Sequence, residues 1–274
     1  MQTQKEKAEV FRALHQRDRA FIIPNPWDMG TARFLAYLGF EALATTSAGF
    51  AFSLGKRDNT VARDEVIEHI GTIAAVTDLP VSADLENGFG DAPKTVEETI
   101  RLAAEAGVVG GSIEDSTGRQ DDPIYEIDFA AERIRAAVAA VRSFAYPFML
   151  TARAENYLHK RHDLADTIRR LQAFQEAGAD VLYAPGLLNR SDIATVISSV
   201  DRPINVLMGM QGANLTLEEL SQLGVKRVST GGALARAAFG AVLRAAMEMR
   251  DHGTFHFVDS AIGSRDINGI FQEK

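Results

Sequence analysis

Eight short apolar, β-branched runs recur along this chain at intervals of roughly 30 residues, the size of one βα unit. They are Phe21-Ile22-Ile23, Ala42 to Thr46, Val81 to Asp84, Ser112-Ile113-Glu114, Phe148 to Thr151, Val181-Leu182-Tyr183, Ile204 to Leu207 and Arg227-Val228-Ser229. The segments leading into them alternate in kind. Runs 2, 4, 6 and 8 follow one form of helix end: Leu38-Gly39-Phe40, Ala106-Gly107-Val108, Ala177-Gly178-Ala179 and Leu223-Gly224-Val225. Glycine there supplies the left-handed residue that closes a helix, and the next apolar residue packs back on it. Runs 3, 5 and 7 follow a proline, at Pro80, Pro147 and Pro203, which the first position of a strand tolerates. Two alternating entries around eight strands predict a single-domain (βα)8 TIM barrel rather than an open doubly wound sheet. With no linker to divide it, the expected layout is an N-terminal helix within 1–18, a barrel over 19–250 and a tail over 251–274.

Glu6 to Gln16 reads as an amphipathic helix that closes one end of the barrel. The tail carries Phe255, Phe257, Ile262, Ile267, Ile270 and Phe271, which need burial on the chain's own barrel or on a neighbouring subunit. At 274 residues and 46% hydrophobic, the chain can fill a large core. Its net charge of -8, without a Lys/Arg-rich run, gives no footprint for nucleic acid. The absence of cysteine removes disulfides, thiolate metal sites and cysteine nucleophiles together. A polar N-terminus and no apolar run of about 18 residues give no sign of a signal peptide or membrane span, so a soluble cytoplasmic protein is expected.

The segment Ser82-Ala83-Asp84-Leu85-Glu86-Asn87-Gly88-Phe89-Gly90 places two carboxylates where a strand runs out into a glycine-rich turn. Residues two apart on a strand share a face, so Asp84 and Glu86 are expected to share one ligand, and hard oxygen donors suit Mg2+ or Mn2+. Barrel chemistry sits at the C-terminal ends of strands. Strand 4 would add Glu114 and Asp115 there, and strand 5 Arg153 and Glu155. Acids at these positions also cap the following helices, but four of them with an arginine form a coherent cluster. A cation there, chelated by the carboxylate and keto oxygens of a 2-oxo acid, would stabilise an enolate, with Arg153 adding a fixed positive charge. The small-residue turn Thr45 to Phe50 offers backbone N–H groups to a carboxylate, or is an ordinary tight loop. Leu54 to Asn59 is a polar loop placed to cover the site.

Asn25-Pro26-Trp27-Asp28, Thr46-Ser47-Ala48-Gly49, Asp58, Asp84 to Gly90, Ile113-Glu114-Asp115, Ala152-Arg153 and Gly178-Ala179-Asp180 together resemble the isocitrate lyase/phosphoenolpyruvate mutase superfamily, in order from about Phe21 to Phe239. The resemblance implies a barrel binding Mg2+, with Asp84 the direct ligand and Glu86 and Glu114 holding its waters. It also implies that Trp27, Ser47, Ala48, Gly49, Asp58 and Arg153 surround the substrate. A homotetramer built from helix-exchanged dimers is a further implication, and would cover the apolar tail.

The chain departs from its relatives in its loops. Lyases of this superfamily carry a Lys-Lys/Arg-Cys-Gly-His loop after strand 4; here Ser116 to Pro123 stands in its place. That departure argues against isocitrate or 2-methylisocitrate cleavage. The lysine, threonine and asparagine gating loop of the phosphonate enzymes is likewise replaced, and Ala184-Pro185-Gly186 replaces a histidine or glutamate after strand 6. Asn205 to Met210 on strand 7, with two methionines, suggests a smaller or more apolar distal pocket. Asn205 is a candidate substrate contact and Tyr183 a candidate proton donor. Ser229-Thr230-Gly231-Gly232 stands where many barrels bind phosphate, without a basic partner nearby in sequence. His159 and His162 read as part of a solvated run. The favoured chemistry is Mg2+-dependent cleavage or decarboxylation of an oxaloacetate-like 2-oxo or 2-hydroxy acid, with Arg153, Glu114, Asp58 and Tyr183 catalytic. The alternatives are P–C cleavage of phosphonopyruvate or phosphoenolpyruvate, methylisocitrate-type cleavage, and non-catalytic binding of a 2-oxo acid.

Overall fold

The computed structural model describes residues 2–272. Helix α1 (Gln4–Leu14) precedes β1 (Phe21–Ile23), α2 (Met29–Tyr37), β2 (Leu43–Ala44), α3 (Ser47–Ser53), α4 (Arg63–Ala75), β3 (Val81–Asp84), α5 (Pro93–Glu105) and β4 (Gly110–Glu114). There follow α6 (Ile127–Val141), β5 (Met149–Arg153), α7 (Leu164–Ala177), β6 (Val181–Tyr183), α8 (Arg190–Ser198), β7 (Ile204–Leu207), α9 (Leu217–Leu223), β8 (Arg227–Ser229), α10 (Ala233–His252), a 3-10 turn (His256–Ser260) and α11 (Ser264–Ile270).

All eight strands pair in parallel in the order β1-β8-β7-β6-β5-β4-β3-β2. The seam between β1 and β2 is bridged where Ala44 N–H donates to the Pro24 carbonyl at 3.1 Å and the Asn25 amide to the Thr45 carbonyl at 3.0 Å. The result is a nearly closed (βα)8 barrel. Each expected run contains or overlaps a strand, although β2 shortens to two residues and β5 runs on to Arg153. The closing glycines Gly39, Gly107, Gly178 and Gly224 adopt φ of 83°, 98°, 105° and 96°, the left-handed values their role requires.

Helix α1 starts two residues before the expected Glu6 and ends at Leu14. Its first turn is tied by a capping box between Thr3 and Glu6. Ala8, Phe11 and Leu14 bury against Phe21, Met149 and Val181 at the N-terminal mouth of the barrel and close it. Room for this plug comes from Gly110: a Cβ there would lie 2.8 Å from the Phe11 ring and 2.9 Å from the Met149 carbonyl.

At the other end of the chain, α10 buries only Ala235. Phe239, Val242, Leu243 and Met247 remain 45–66% exposed. The tail returns to its own barrel in part, since Arg33 of α2 donates to the Phe271 carbonyl at 2.7 Å and covers the Phe271 ring at 5.6 Å. Phe255, Val258 and Ile262 stay exposed. Among the described residues no helix is long and apolar enough to cross a membrane.

Candidate active site

Strand β3 ends at Asp84, earlier than the expected alternation required. Glu86 lies beyond it with φ 49°, a left-handed conformation that strains a residue with a Cβ. The shared-face reading of Asp84 and Glu86 therefore fails, because the chain turns between them. The turn is held from outside: Arg133 of α6, 1% exposed, donates to the carbonyls of Gly90 at 2.8 Å, Asp91 at 3.0 Å, Glu114 at 3.3 Å and Asn87. One guanidinium thus fixes both segments that carry Glu86 and Glu114.

Asp84 faces the barrel interior. Its Oδ2 accepts the Ser47 N–H at 3.1 Å and its Oδ1 accepts Arg153 Nη1 at 3.0 Å. Arg153 also reaches Glu114 at 3.3 Å and Glu155 at 2.9 Å, and lies 5.2 Å from the centre of the Tyr183 ring. Asp115 leaves this cluster: its carboxylate accepts the Glu155 N–H at 2.8 Å and pairs with Arg170 of α7 at 3.0 Å, so it positions strand ends. Burial, only partly offset by Arg170, pushes Asp115 up to about 7.

Three carboxylates, of Asp84, Glu114 and Glu155, contact the guanidinium of Arg153, and those of Asp58 and Glu86 feel its charge from farther away. Burial pushes Glu86 up to about 8, with the charges of Asp84 and Asp58 adding to it. Glu114 is raised chiefly by burial, against the pull of Arg153. Asp58, at the rim, is raised by partial enclosure and then by Asp84. Among the described residues no three carboxylates or histidines converge as a ready-made cage. The donor set still fits Mg2+, which binds one or two carboxylates directly and keeps several waters. Asp84 would hold it, with Glu86 and Glu114 as acceptors for those waters.

A cavity of about 180 Å³ opens on Asp84 and Arg153 and is walled by Ser47, Ala48, Asp58, Tyr183 and Asn205. Trp27 and Gly49 do not line it; a Cβ on Gly49 would lie 3.0 Å from Trp27, so the pair packs α3 against its neighbours. The Gly49 N–H already donates to Thr46. Asn205 is occupied too, donating to Ser229 at 2.9 Å and accepting from Arg227 at 2.9 Å. Glu86 and Glu114 open instead on an adjoining cleft beside Asn59 and Ser116. The wall expected from Met208 and Met210 is supplied by Leu207.

The chain matches the family model "Phosphoenolpyruvate phosphomutase" over residues 11–250. The chain belongs to this family. It stands within the isocitrate lyase/phosphoenolpyruvate mutase superfamily. A crystal structure from Burkholderia cenocepacia J2315, provisionally described as a lyase/mutase, is 65% identical, with TM-score 0.97 over 98% of this chain and 97% of that one. Oxaloacetate acetylhydrolase in complex with the product oxalate is 26% identical, with TM-score 0.87 over 98% and 95%. The oxaloacetate decarboxylase of Pseudomonas aeruginosa (strain PAO1) is 28% identical over 255 residues, 89% of this chain and 86% of the relative. Relatives in the superfamily are carbon–carbon lyases and mutases, which supports an enzyme here.

Two loops flank the site. The segment after β4 is a small hairpin: Ser116 bridges Ile124, and Arg119 and Tyr125 both latch onto Asp91, Arg119 at 2.8 Å. In the loop after β8, the Thr230 and Gly231 N–H groups both donate to Asn25 Oδ1 at 2.9 Å, which leaves these donors closed to a phosphate. Arg133 and Arg227 escaped the sequence reading, since a lone arginine in a helix or strand carries no motif. His159, read as solvated, lies 3.2 Å from the Ser116 hydroxyl.

In the cation-free fold Glu86 titrates near 8, against 4.5 for the free side chain. The native state therefore binds the extra proton between those values, and stability falls as pH rises across that window. Glu86→Gln is expected to stabilise the cation-free protein at pH 8.5 by on the order of 1–3 kcal/mol and to change little at pH 4. Urea unfolding in chelator measures this, and an equal effect at both pH values would contradict it.

Proposed function

We propose that this protein is a Mg2+-dependent carbon–carbon lyase or decarboxylase acting on a small 2-oxo or 2-hydroxy carboxylic acid. An oxaloacetate-like substrate is favoured, and Mn2+ can replace Mg2+. The observation that carries this reading is Arg153, held by Asp84, Glu114 and Glu155 on the wall of a small cavity. Relatives named for oxaloacetate chemistry support the substrate class.

In decarboxylation of such an acid the bond from carbon 3 to the leaving carboxylate breaks. Its electron pair passes into the enolate of carbons 2 and 3, and carbon dioxide departs. A cation bound at Asp84 would supply Lewis-acid stabilisation of that charge. Three carboxylates hold Arg153 in one orientation, so its positive charge would meet a developing oxyanion without reorganisation. The Tyr183 phenol is kept neutral, raised to about 12 by burial although Arg153 pulls the other way, and so remains a donor for the proton that carbon 3 requires. No base is needed to start this cleavage, which suits a chain without cysteine. A phosphonate substrate is less well supported, since the one cation of the hairpin, Arg119, is paired with Asp91.

The exposed side chains on α10 favour exchange of that helix between paired subunits of a homo-oligomer. A dimer or tetramer by light scattering, reduced to monomer by Leu243→Glu, is the expected behaviour; a monomeric wild-type protein would exclude it. For catalysis, an assay with Mg2+ over oxaloacetate, substituted malates, 2-methylisocitrate and phosphonopyruvate should give turnover with oxaloacetate or a malate. Asp84→Ala should lower kcat/KM by about a hundredfold or more. Turnover untouched by that change would sink the cation-site reading, and binding without any turnover would make the protein a 2-oxo acid carrier.

A further inference from the structure

Arg227 projects from β8 into the barrel interior and is 5% exposed. Its Nε donates to Asn205 Oδ1 at 2.9 Å, its Nη2 to the Thr151 hydroxyl at 2.9 Å, and its Nη1 faces His15 Nε2 at 3.4 Å. His15 comes from the loop after α1, and its Nδ1 lies 2.8 Å from the Phe11 carbonyl. That contact requires the hydrogen on Nδ1, which leaves a lone pair on Nε2 for the guanidinium. Burial and the nearby charge of Arg227 push His15 down to about 3, so the ring is neutral at working pH. All three partners of Arg227 are therefore uncharged, and among the described residues no carboxylate pairs with it.

A guanidinium has five N–H groups, and these contacts occupy one on each nitrogen. Burying such a charge without a counterion is costly, and an apolar residue of similar volume would be cheaper for the fold. Arg227 lines the same 180 Å³ cavity as Arg153 and Asp84. Tyr183 and Asn205 separate the two guanidiniums along the barrel wall, so the cavity has a cation at each end of that stretch. An anion at the Arg227 end would complete the charge that the protein leaves open.

We infer that the cavity floor at Arg227 is a second anion subsite, which receives the distal carboxylate of a dicarboxylic acid whose 2-oxo or 2-hydroxy end lies at Arg153. This rests on the function proposed above and narrows it to dicarboxylates. Malate and lactate are the probes, because they differ by one carboxylate. Calorimetric titration in Mg2+ should show wild-type protein binding malate at least tenfold more tightly than lactate. Arg227→Met should lose that preference with lactate affinity within about twofold, and Arg227→Lys should retain most of it. Equal affinities in the wild type would overturn the subsite without recourse to any variant, and so would an Arg227→Met protein that keeps its preference or weakens both ligands alike. Because binding is read without turnover, an inactive protein that still prefers malate would refute the proposed reaction while leaving this subsite standing.

Discussion

The three-way grip of Asp84, Glu114 and Glu155 on Arg153 is the interaction around which the C-terminal face of the barrel is built. Each carboxylate comes from a different strand end or the residues just past it, so a single guanidinium couples β3, β4 and β5. Buried ion pairs add little to stability, since desolvation consumes most of the Coulomb gain. Their value here is directional: a guanidinium with three fixed acceptors has one orientation. The excess of carboxylates left over is expensive as long as no cation is present, and burial answers that cost by raising Glu86 and Glu114. The same excess is what a divalent cation would neutralise.

A second layer of arginines keeps the first in place. Arg133 gathers four backbone carbonyls around the strained Glu86 turn, and Arg170 holds Asp115, which in turn receives the Glu155 N–H. Strain at a positive φ persists when its surroundings over-determine it, and at Glu86 the surroundings are the Arg133 contacts from α6. From below, the α1 plug supplies His15 to Arg227, so the floor of the cavity depends on a helix outside the barrel proper.

The barrel was legible because its punctuation is local: a glycine at a positive φ or a proline before each of the later strands is visible in single residues. The acids were legible because strand ends are where barrels do chemistry. The turn between Asp84 and Glu86 was not legible because a period of two holds only within a strand, and β3 stops at Asp84. Asn205 lines the cavity while Trp27 and Gly49 stand behind its wall, a distinction that depends on packing and on who else claims their hydrogen bonds. Arg133, Arg170 and Arg227 were not legible, since what marks them is the convergence of partners from 15 to 227 in the chain, and no spacing in sequence encodes that.

Protons held by the buried Glu86 and Glu114 would be displaced by a divalent cation, and proton release on Mg2+ binding measures that exchange. Calorimetric titration of the chelator-treated protein, in buffers of different ionisation enthalpy, counts those protons. Release of at least about one proton near pH 7 is the expected result, with the share from Glu86, pushed up to about 8, fading above pH 9. Tight Mg2+ binding with no proton released at pH 7 would show that no such exchange takes place.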